Sequence, residues 1–187
     1  LSDPAGTPAA PPDVWQLSEN RITRIAVELP PQDRRQVFYK DADGRWRIDV
    51  RADLTDNPGV DPSADPGVDP STAPGVDPPV DRERWGGIVL LVSGPQSRRL
   101  IAEDAGARSS YGLQQPDMRL ELTVAGSSEP VVVIVGDRTP DQEHVYVRLE
   151  NQEPVYLVHS SWFNVMRRLV LEPPYRPIDA PENGPGS

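Results

Sequence analysis

The chain contains two histidines, His144 and His159, whose imidazole rings suit both metal binding and proton transfer. Together with Asp137 or Asp141, they would offer nitrogen and oxygen donors to an ion of the zinc type. Neither histidine belongs to an HxxxH or HExxH motif, which would place two donors on one face of a helix. The sequence therefore predicts two surface histidines that flank turns, and it predicts no metal site.

Two serines follow His159 directly, and Ser160 or Ser161 beside a base would be a candidate nucleophile. A strained serine of this kind is usually held by a GxSxG elbow, which is missing here. Hydroxyls between a strand and a helix more commonly cap the helix by accepting hydrogen bonds from its first free N–H groups. We expect one of these serines to be an N-cap, and we predict no catalytic residue and no enzymatic activity.

Gly136 and Asp137 come directly after an apolar run, as the glycines of phosphate-binding loops do. The segment 133–144 matches neither GxGxxG nor GxxxxGK[ST], and its acidic residues would repel a phosphate group. It therefore predicts a tight turn between two antiparallel strands. No cofactor is expected.

The composition restricts the partners of the chain. Nineteen basic and 29 acidic residues give a net charge of −10, which disfavours nucleic acid and direct contact with anionic lipid. Cysteine is absent, so disulfides and thiolate metal sites are excluded. No apolar run is long enough to span a bilayer. Because the chain opens in a linker-like stretch, we expect a signal or membrane anchor to precede it in the full-length protein.

An octapeptide that begins PGVDP occurs three times between residues 58 and 81. Its prolines and glycine exclude a helix interior or a central strand, and its aspartates favour an extended chain. The aspartates Asp61, Asp69 and Asp77 recur every eight residues, but an extended segment cannot bring them together around calcium. We interpret residues 53–81 as a flexible insert.

The domain organisation follows from these segments. Residues 14–172 are predicted to form a single α+β domain that contains the insert. Residues 1–13 are rich in proline and alanine and are predicted to be a disordered linker. Residues 173–187 hold five prolines and are predicted to be an irregular tail.

Patterns of apolar residues predict the elements that position these side chains. Strands are predicted at residues 21–29, 35–40, 45–50, 118–124, 131–136, 144–150 and 155–159. Helices are predicted at residues 81–93, with Asp81 as the N-cap, and from the serines to residue 172. The order is strands then helix, twice, without β-α-β alternation. It favours an α+β fold with antiparallel sheet, built from two strands-then-helix units.

The four tryptophans could line a ligand groove or fill the core. Trp46, Trp85 and Trp162 lie on the apolar faces of predicted elements, so we expect them in the core. Trp15 precedes the first strand and is expected to be exposed or packed at an edge.

A family resemblance is carried by Tyr111-Gly112-Leu113 with Pro116, followed by an apolar strand that ends in VGD and by YVRLE. Upstream lie VWQLSENRITRIAVEL and a DGRWRI hairpin. In this order the chain resembles the bacterial domain-of-unknown-function 4340 family, from about residue 14 to residue 171. The resemblance implies a domain that a membrane anchor usually precedes, often encoded beside ABC-type transporters or gliding-motility-like export components. It supplies no catalytic residue, and the octapeptide insert departs from the family pattern.

These observations favour a non-enzymatic, extracytoplasmic domain that binds or scaffolds a protein partner beside a membrane transporter or envelope complex. A structural subunit of a larger membrane-associated assembly is the first alternative. A glycan hydrolase with paired carboxylates is the second, and two carboxylates with raised pKa values in one cleft would favour it.

Overall fold

The computed structural model describes residues 14–50, 77–95, 97–102 and 111–175. The predicted linker at residues 1–13 and most of the predicted insert lie outside these residues. So do the calcium candidates Asp61 and Asp69 and most of the predicted tail.

Eight strands and three helices make up the described chain, together with two single-turn 3₁₀ segments. The strands are β1 (Ile22–Leu29), β2 (Arg34–Lys40), β3 (Trp46–Asp49), β4 (Ser97–Ala102), β5 (Met118–Val124), β6 (Val131–Arg138), β7 (His144–Leu149) and β8 (Val155–His159). The helices are α1 (Arg82–Trp85), α2 (Ile88–Ser93) and α3 (Ser160–Leu171).

All eight strands belong to one sheet, in the order β3-β2-β1-β5-β6-β7-β8-β4. Every neighbouring pair is antiparallel. The pairing of β1 with β5 joins the strands before the insert to those after it. The architecture is therefore α+β with a predominantly antiparallel sheet, and its two predicted groups of strands share one hydrogen-bonded layer.

The core lies between one face of this sheet and the helices. In β5, Met118 and every second residue after it are buried, while the residues between them are half-buried. Helix α3 packs across β1, β2, β7 and β8 and buries Trp162, Met166 and Leu169. A fully buried side chain of this size stabilises a fold by about 1.5–3 kcal/mol. This face therefore supplies most of the apolar stabilisation.

The predicted helix at residues 81–93 is two short helices. Asp81 caps α1 as expected, since its carboxylate accepts hydrogen bonds from the N–H groups of Glu83 (2.9 Å) and Arg84 (3.0 Å). The helix breaks at Gly86-Gly87 because Gly87 has φ +81°, a left-handed conformation that glycine adopts without strain. The apolar period continued across the break, so periodicity alone could not reveal it.

Strand β4 was not predicted. Its sequence, SRRLIA, has two adjacent arginines and then two adjacent aliphatic residues, so it lacks the alternation of a half-buried strand. It pairs with β8 at the edge of the sheet, with irregular register at two points. Tertiary pairing, rather than local pattern, makes this segment a strand.

The end of the predicted insert belongs to the folded domain. Asp77 accepts a hydrogen bond from the Tyr39 hydroxyl (2.7 Å), and its carbonyl accepts one from Arg47 (2.8 Å). Val80 is buried and forms a bridge with Tyr175. The predicted boundaries of the insert at residue 81 and of the tail at residue 173 therefore need correction, since residues 77–81 and 173–175 pack on the domain.

Candidate functional site

Trp15 is a core residue, in contrast to the prediction that it is exposed or packed at an edge. Its side chain is 7% exposed, and its indole ring meets that of Trp162 edge to face at a centroid distance of 5.9 Å. Gly94 allows this packing, because a Cβ at residue 94 would lie 2.4 Å from the Trp15 carbonyl oxygen. The prediction failed because the segment around Trp15 forms no regular element whose apolar face could be read.

The other three tryptophans agree better with the prediction, which placed them in the core. Trp85 and Trp162 are buried, and Trp46 is half-buried against the core. The rings of Trp46 and Trp85 lie 5.2 Å apart, centroid to centroid.

The C-terminal end of α2 is held by four separate donors. The last carbonyls of a helix have no partner within the helix and need one from elsewhere. Here the carbonyl of Leu90 accepts from the Ser93 hydroxyl (2.7 Å), that of Leu91 from the Trp162 indole (3.0 Å), that of Val92 from the Trp15 indole (2.9 Å), and that of Ser93 from the Leu17 N–H (2.7 Å). A helix of only six residues is thereby fixed to the segment before β1 and to α3.

Beside this helix end lies a cleft of about 600 Å³. Its lining includes Trp15, Leu90, Leu91, Pro95, His159 and Trp162. We call this feature the aromatic cleft. Leu90 is 59% exposed and Leu91 39% exposed, although leucine is most often buried. Together they form an apolar ridge at the rim of the cleft.

His159 lies at the cleft and caps α3, a role that the sequence assigned to Ser160 or Ser161. Its Nδ1 atom accepts a hydrogen bond from the Ser161 N–H (3.2 Å) and lies 2.8 Å from the Ser161 hydroxyl. The serine-cap prediction was wrong because an imidazole nitrogen can accept from the same free N–H groups. The contact between His159 and Ser161 is therefore the N-terminal cap of α3.

The two histidines lie side by side. His144 in β7 is directly opposite His159 in β8, and the ring centroids are 5.6 Å apart. His144 is 7% exposed, which corrects the prediction that it lies on the surface. The turn of the β7–β8 hairpin lies midway between the two histidines in the sequence, so both histidines lie at the same end of the hairpin.

The turn that precedes β7 brings two carboxylates to His144. A ligand atom from each of Asp141, Glu143 and His144 lies within 4.8 Å of the others. Asp141 accepts hydrogen bonds from the Thr139 hydroxyl and from the Glu143 N–H (3.0 Å). The Thr139 hydroxyl, and secondly the Glu143 N–H, hold the pKa of Asp141 below its usual value. We call these three residues the acidic-histidine cluster.

Asp137 lies elsewhere, at the connection that contains Tyr111-Gly112-Leu113. Gly136 has no side chain, and a Cβ there would lie 2.1 Å from the Tyr111 carbonyl oxygen. At Gly112, which has φ +69°, a Cβ would lie 2.5 Å from the Asp137 carboxyl group. The YGL and VGD segments thus contact each other through their two glycines. Gly136 leaves space for the segment Tyr111-Gly112-Leu113.

Tyr111 and Leu113 cover part of the sheet face opposite α3. Tyr111 stacks on Tyr146 with ring centroids 4.4 Å apart, and Leu113 packs with Ile134 in a second apolar cluster. Close by, partial burial raises the pKa of Asp117, and the negative charge of Asp137 raises it further.

The order of these segments in the chain can be compared with known families. The family model described as Domain of unknown function (DUF4340) matches residues 72–169, just over half of the chain. This chain belongs to the DUF4340 family. The match confirms the family resemblance, and it includes the apolar ridge, both histidines, the acidic-histidine cluster and the YGL and VGD segments of this DUF4340 domain. Trp15 lies outside it.

Two further comparisons bear on the DUF4340 domain. Neither a search of curated proteins nor a search of solved structures found a significant match. Within the described residues, no helix combines the length and hydropathy needed to cross a bilayer.

Proposed function

We propose that this DUF4340 domain is a non-enzymatic, extracytoplasmic binding domain that serves a membrane transporter or envelope complex. The observation that carries the proposal is the apolar ridge of Leu90 and Leu91 at the rim of the aromatic cleft. Large exposed aliphatic side chains next to a concave surface are typical of sites where a protein partner docks.

The ridge is rigid, which favours recognition. All four terminal carbonyls of α2 are hydrogen-bonded, two of them to buried tryptophans. A fraying helix would pay the entropy of ordering when a partner binds, whereas a fixed one does not. Leu90 and Leu91 are thus presented in one geometry before any partner arrives.

The charge at the cleft indicates what kind of segment it accepts. The carboxylate of Glu19 lines the cleft. A partner segment with apolar side chains flanked by lysine or arginine would match both the ridge and this carboxylate. We therefore propose a protein partner of this chemistry within a membrane or envelope complex. Attachment of the domain itself to the membrane would come from an anchor outside this chain.

Site-specific crosslinking in the source organism tests this proposal. A photocrosslinking amino acid at position 90 of the full-length protein should capture one membrane or envelope protein. The same residue at position 151, in the exposed β7–β8 turn, is the control and should not capture it.

Binding of the captured protein to the purified domain then decides the matter. Leu90→Glu should weaken this binding at least tenfold and leave the melting temperature unchanged, because Leu90 is 59% exposed. Equal crosslinking from positions 90 and 151, or unchanged affinity in the variant, would refute the cleft as the docking site.

A further inference from the structure

We propose that the acidic-histidine cluster binds a divalent transition-metal ion, with Zn²⁺ as the best match. The site comprises Asp141, Glu143 and His144, and it lies at the start of β7. It is distinct from the apolar ridge and requires no protein partner.

The first argument is the donor set. One imidazole nitrogen and two carboxylate oxygens are typical ligands of zinc, and three protein ligands with a water molecule complete a common coordination shell. Calcium and magnesium prefer shells made of oxygen alone, so a buried imidazole disfavours them. The chemistry of the side chains therefore selects a transition metal.

The second argument is distance. Ligand atoms about 2.0–2.2 Å from a tetrahedral zinc ion lie about 3.4 Å from each other. In the cluster the ligand atoms already lie within 4.8 Å of one another. Asp141 and Glu143 are exposed, so small side-chain rotations can close the remaining gap without disturbing the core.

The third argument is an unsatisfied group. The Nε2 atom of His144 is buried and has no hydrogen-bond partner among the described residues. A buried polar atom without a partner destabilises the folded state, and such atoms are rare in folded proteins. An ion bound through Nε2 and shared with the two carboxylates would give this atom the partner that it lacks.

The turn also holds the ligands in place before an ion arrives. Thr139 donates its hydroxyl to Asp141 and accepts a hydrogen bond from the His144 N–H (3.1 Å). The Glu143 N–H donates to the same aspartate, which fixes the backbone between the three ligands. Partners of this kind orient ligands and raise metal affinity.

Two properties of the chain make the test specific. It contains two histidines and no cysteine, so few other sites can bind zinc through nitrogen or sulfur. Glu143 is exposed, so Glu143→Gln removes one ligand without disturbing the core. Glu153→Gln is the matched control, because Glu153 is exposed in the turn at the other end of the β7–β8 hairpin.

Isothermal titration of the tag-free full chain with ZnCl₂ should show one ion per chain and a Kd in the micromolar range or tighter. CaCl₂ and MgCl₂ should bind at least a hundredfold more weakly. Glu143→Gln should weaken zinc binding tenfold or more, while Glu153→Gln should leave it unchanged. Melting curves measured without metal check that both variants are folded.

Nuclear magnetic resonance of the imidazole Cε1–H groups supplies an independent readout, since only two signals are present. Saturating zinc should shift the signal of His144, which His144→Gln identifies by its disappearance. Zinc binding that Glu143→Gln leaves intact, or that leaves the His144 signal in place, would assign the ion to other carboxylates and overturn the proposal. Binding no tighter than millimolar would overturn it as well.

Discussion

At the scale of single residues, the contact between Gly136 and Tyr111 explains why a glycine follows the apolar run of β6. Gly136→Ala would place a methyl group 2.1 Å from a backbone oxygen, which cannot rotate away. We expect the variant to lose about 2–3 kcal/mol in the free energy of unfolding, because overpacking of this kind forces the backbone to shift. Urea denaturation measures the loss.

A second glycine provides the control for this experiment. Gly86 has φ −53°, and a Cβ there would lie 3.4 Å from its nearest neighbour, an ordinary contact. Gly86→Ala should therefore leave the free energy of unfolding within about 0.5 kcal/mol of the parent. Equal effects at both positions would show that the Tyr111 contact does not matter.

Asp117 predicts a pH dependence with a definite sign. Partial burial and then the charge of Asp137 raise its pKa in the folded state, so folding favours the protonated carboxyl group. This contribution is fully present below the ordinary pKa of 3.8 and is lost as the pH rises through the folded-state pKa. At pH 7 the ionised group therefore opposes folding.

Asp117→Asn should consequently raise the melting temperature at pH 7, and the gain should shrink as the pH falls through the folded-state pKa towards 3.8. We expect the free energy of unfolding at pH 7 to rise by about 0.5 kcal/mol, since Asp117 is only half-buried. Glu129→Gln, an exposed substitution, should give no such trend. A destabilised Asp117→Asn at pH 7 would contradict the assignment.

At the scale of elements, Trp15 joins the segment before β1 to α2 and α3. Trp15→Ala removes a buried indole and the hydrogen bond to the Val92 carbonyl, so we expect a loss of about 3–5 kcal/mol. Trp15→Phe keeps an aromatic ring and should cost about 1–3 kcal/mol, mainly for the unsatisfied carbonyl. Chemical denaturation distinguishes the two.

Trp46 is the comparison, because it is half-buried. Its replacement by alanine should destabilise the domain less than Trp15→Ala does. The reverse order would mean that the segment before β1 contributes little to the stability of α2.

At the scale of the whole molecule, the boundary of the insert can be tested by replacement. Exchanging residues 58–76 for a short Gly/Ser linker should change the free energy of unfolding by less than about 1 kcal/mol. The reason is that the entropy of closing a loop grows by only about 0.6 kcal/mol per doubling of its length.

Extending the exchange to residues 58–80 should cost at least about 2 kcal/mol more, since several hydrogen bonds are lost. It removes the contact between Tyr39 and Asp77 and the pairing of β3 with Pro78 and Val80. If both exchanges had the same effect, residues 77–80 would not belong to the folded domain.

The local elements could be predicted wherever one pattern covers a whole segment. Strands β5 and β8 have the predicted bounds, and α3 begins where the serines indicate. Their apolar residues alternate or recur at helical spacing, which the backbone geometry requires of any half-buried element. Asp81 was likewise recognised as a cap, because capping depends on neighbours within one turn.

The proposed metal site was not predicted from the sequence. His144, His159 and Asp141 were considered as metal ligands, but the sequence was interpreted as predicting no metal site, and Glu143 was not singled out. The signal for Glu143 is its place beside His144, which becomes informative once the turn is known to fold these side chains together. The exposure of Leu90 and Leu91 could not be predicted, because the sequence does not distinguish a leucine exposed at a cleft from a leucine in the core.

The α+β character, the family and most strand positions could be inferred from the sequence, because they depend on the spacing of residues close in the chain. The folded structure was needed to show that the eight described strands form one sheet, that β4 lies at one of its edges, that Trp15 is buried, and that His144 lies against His159. Each of these depends on pairing between segments far apart in the chain. Which segments pair depends on which surfaces bury each other in the folded chain. A pattern within one segment carries no information about this.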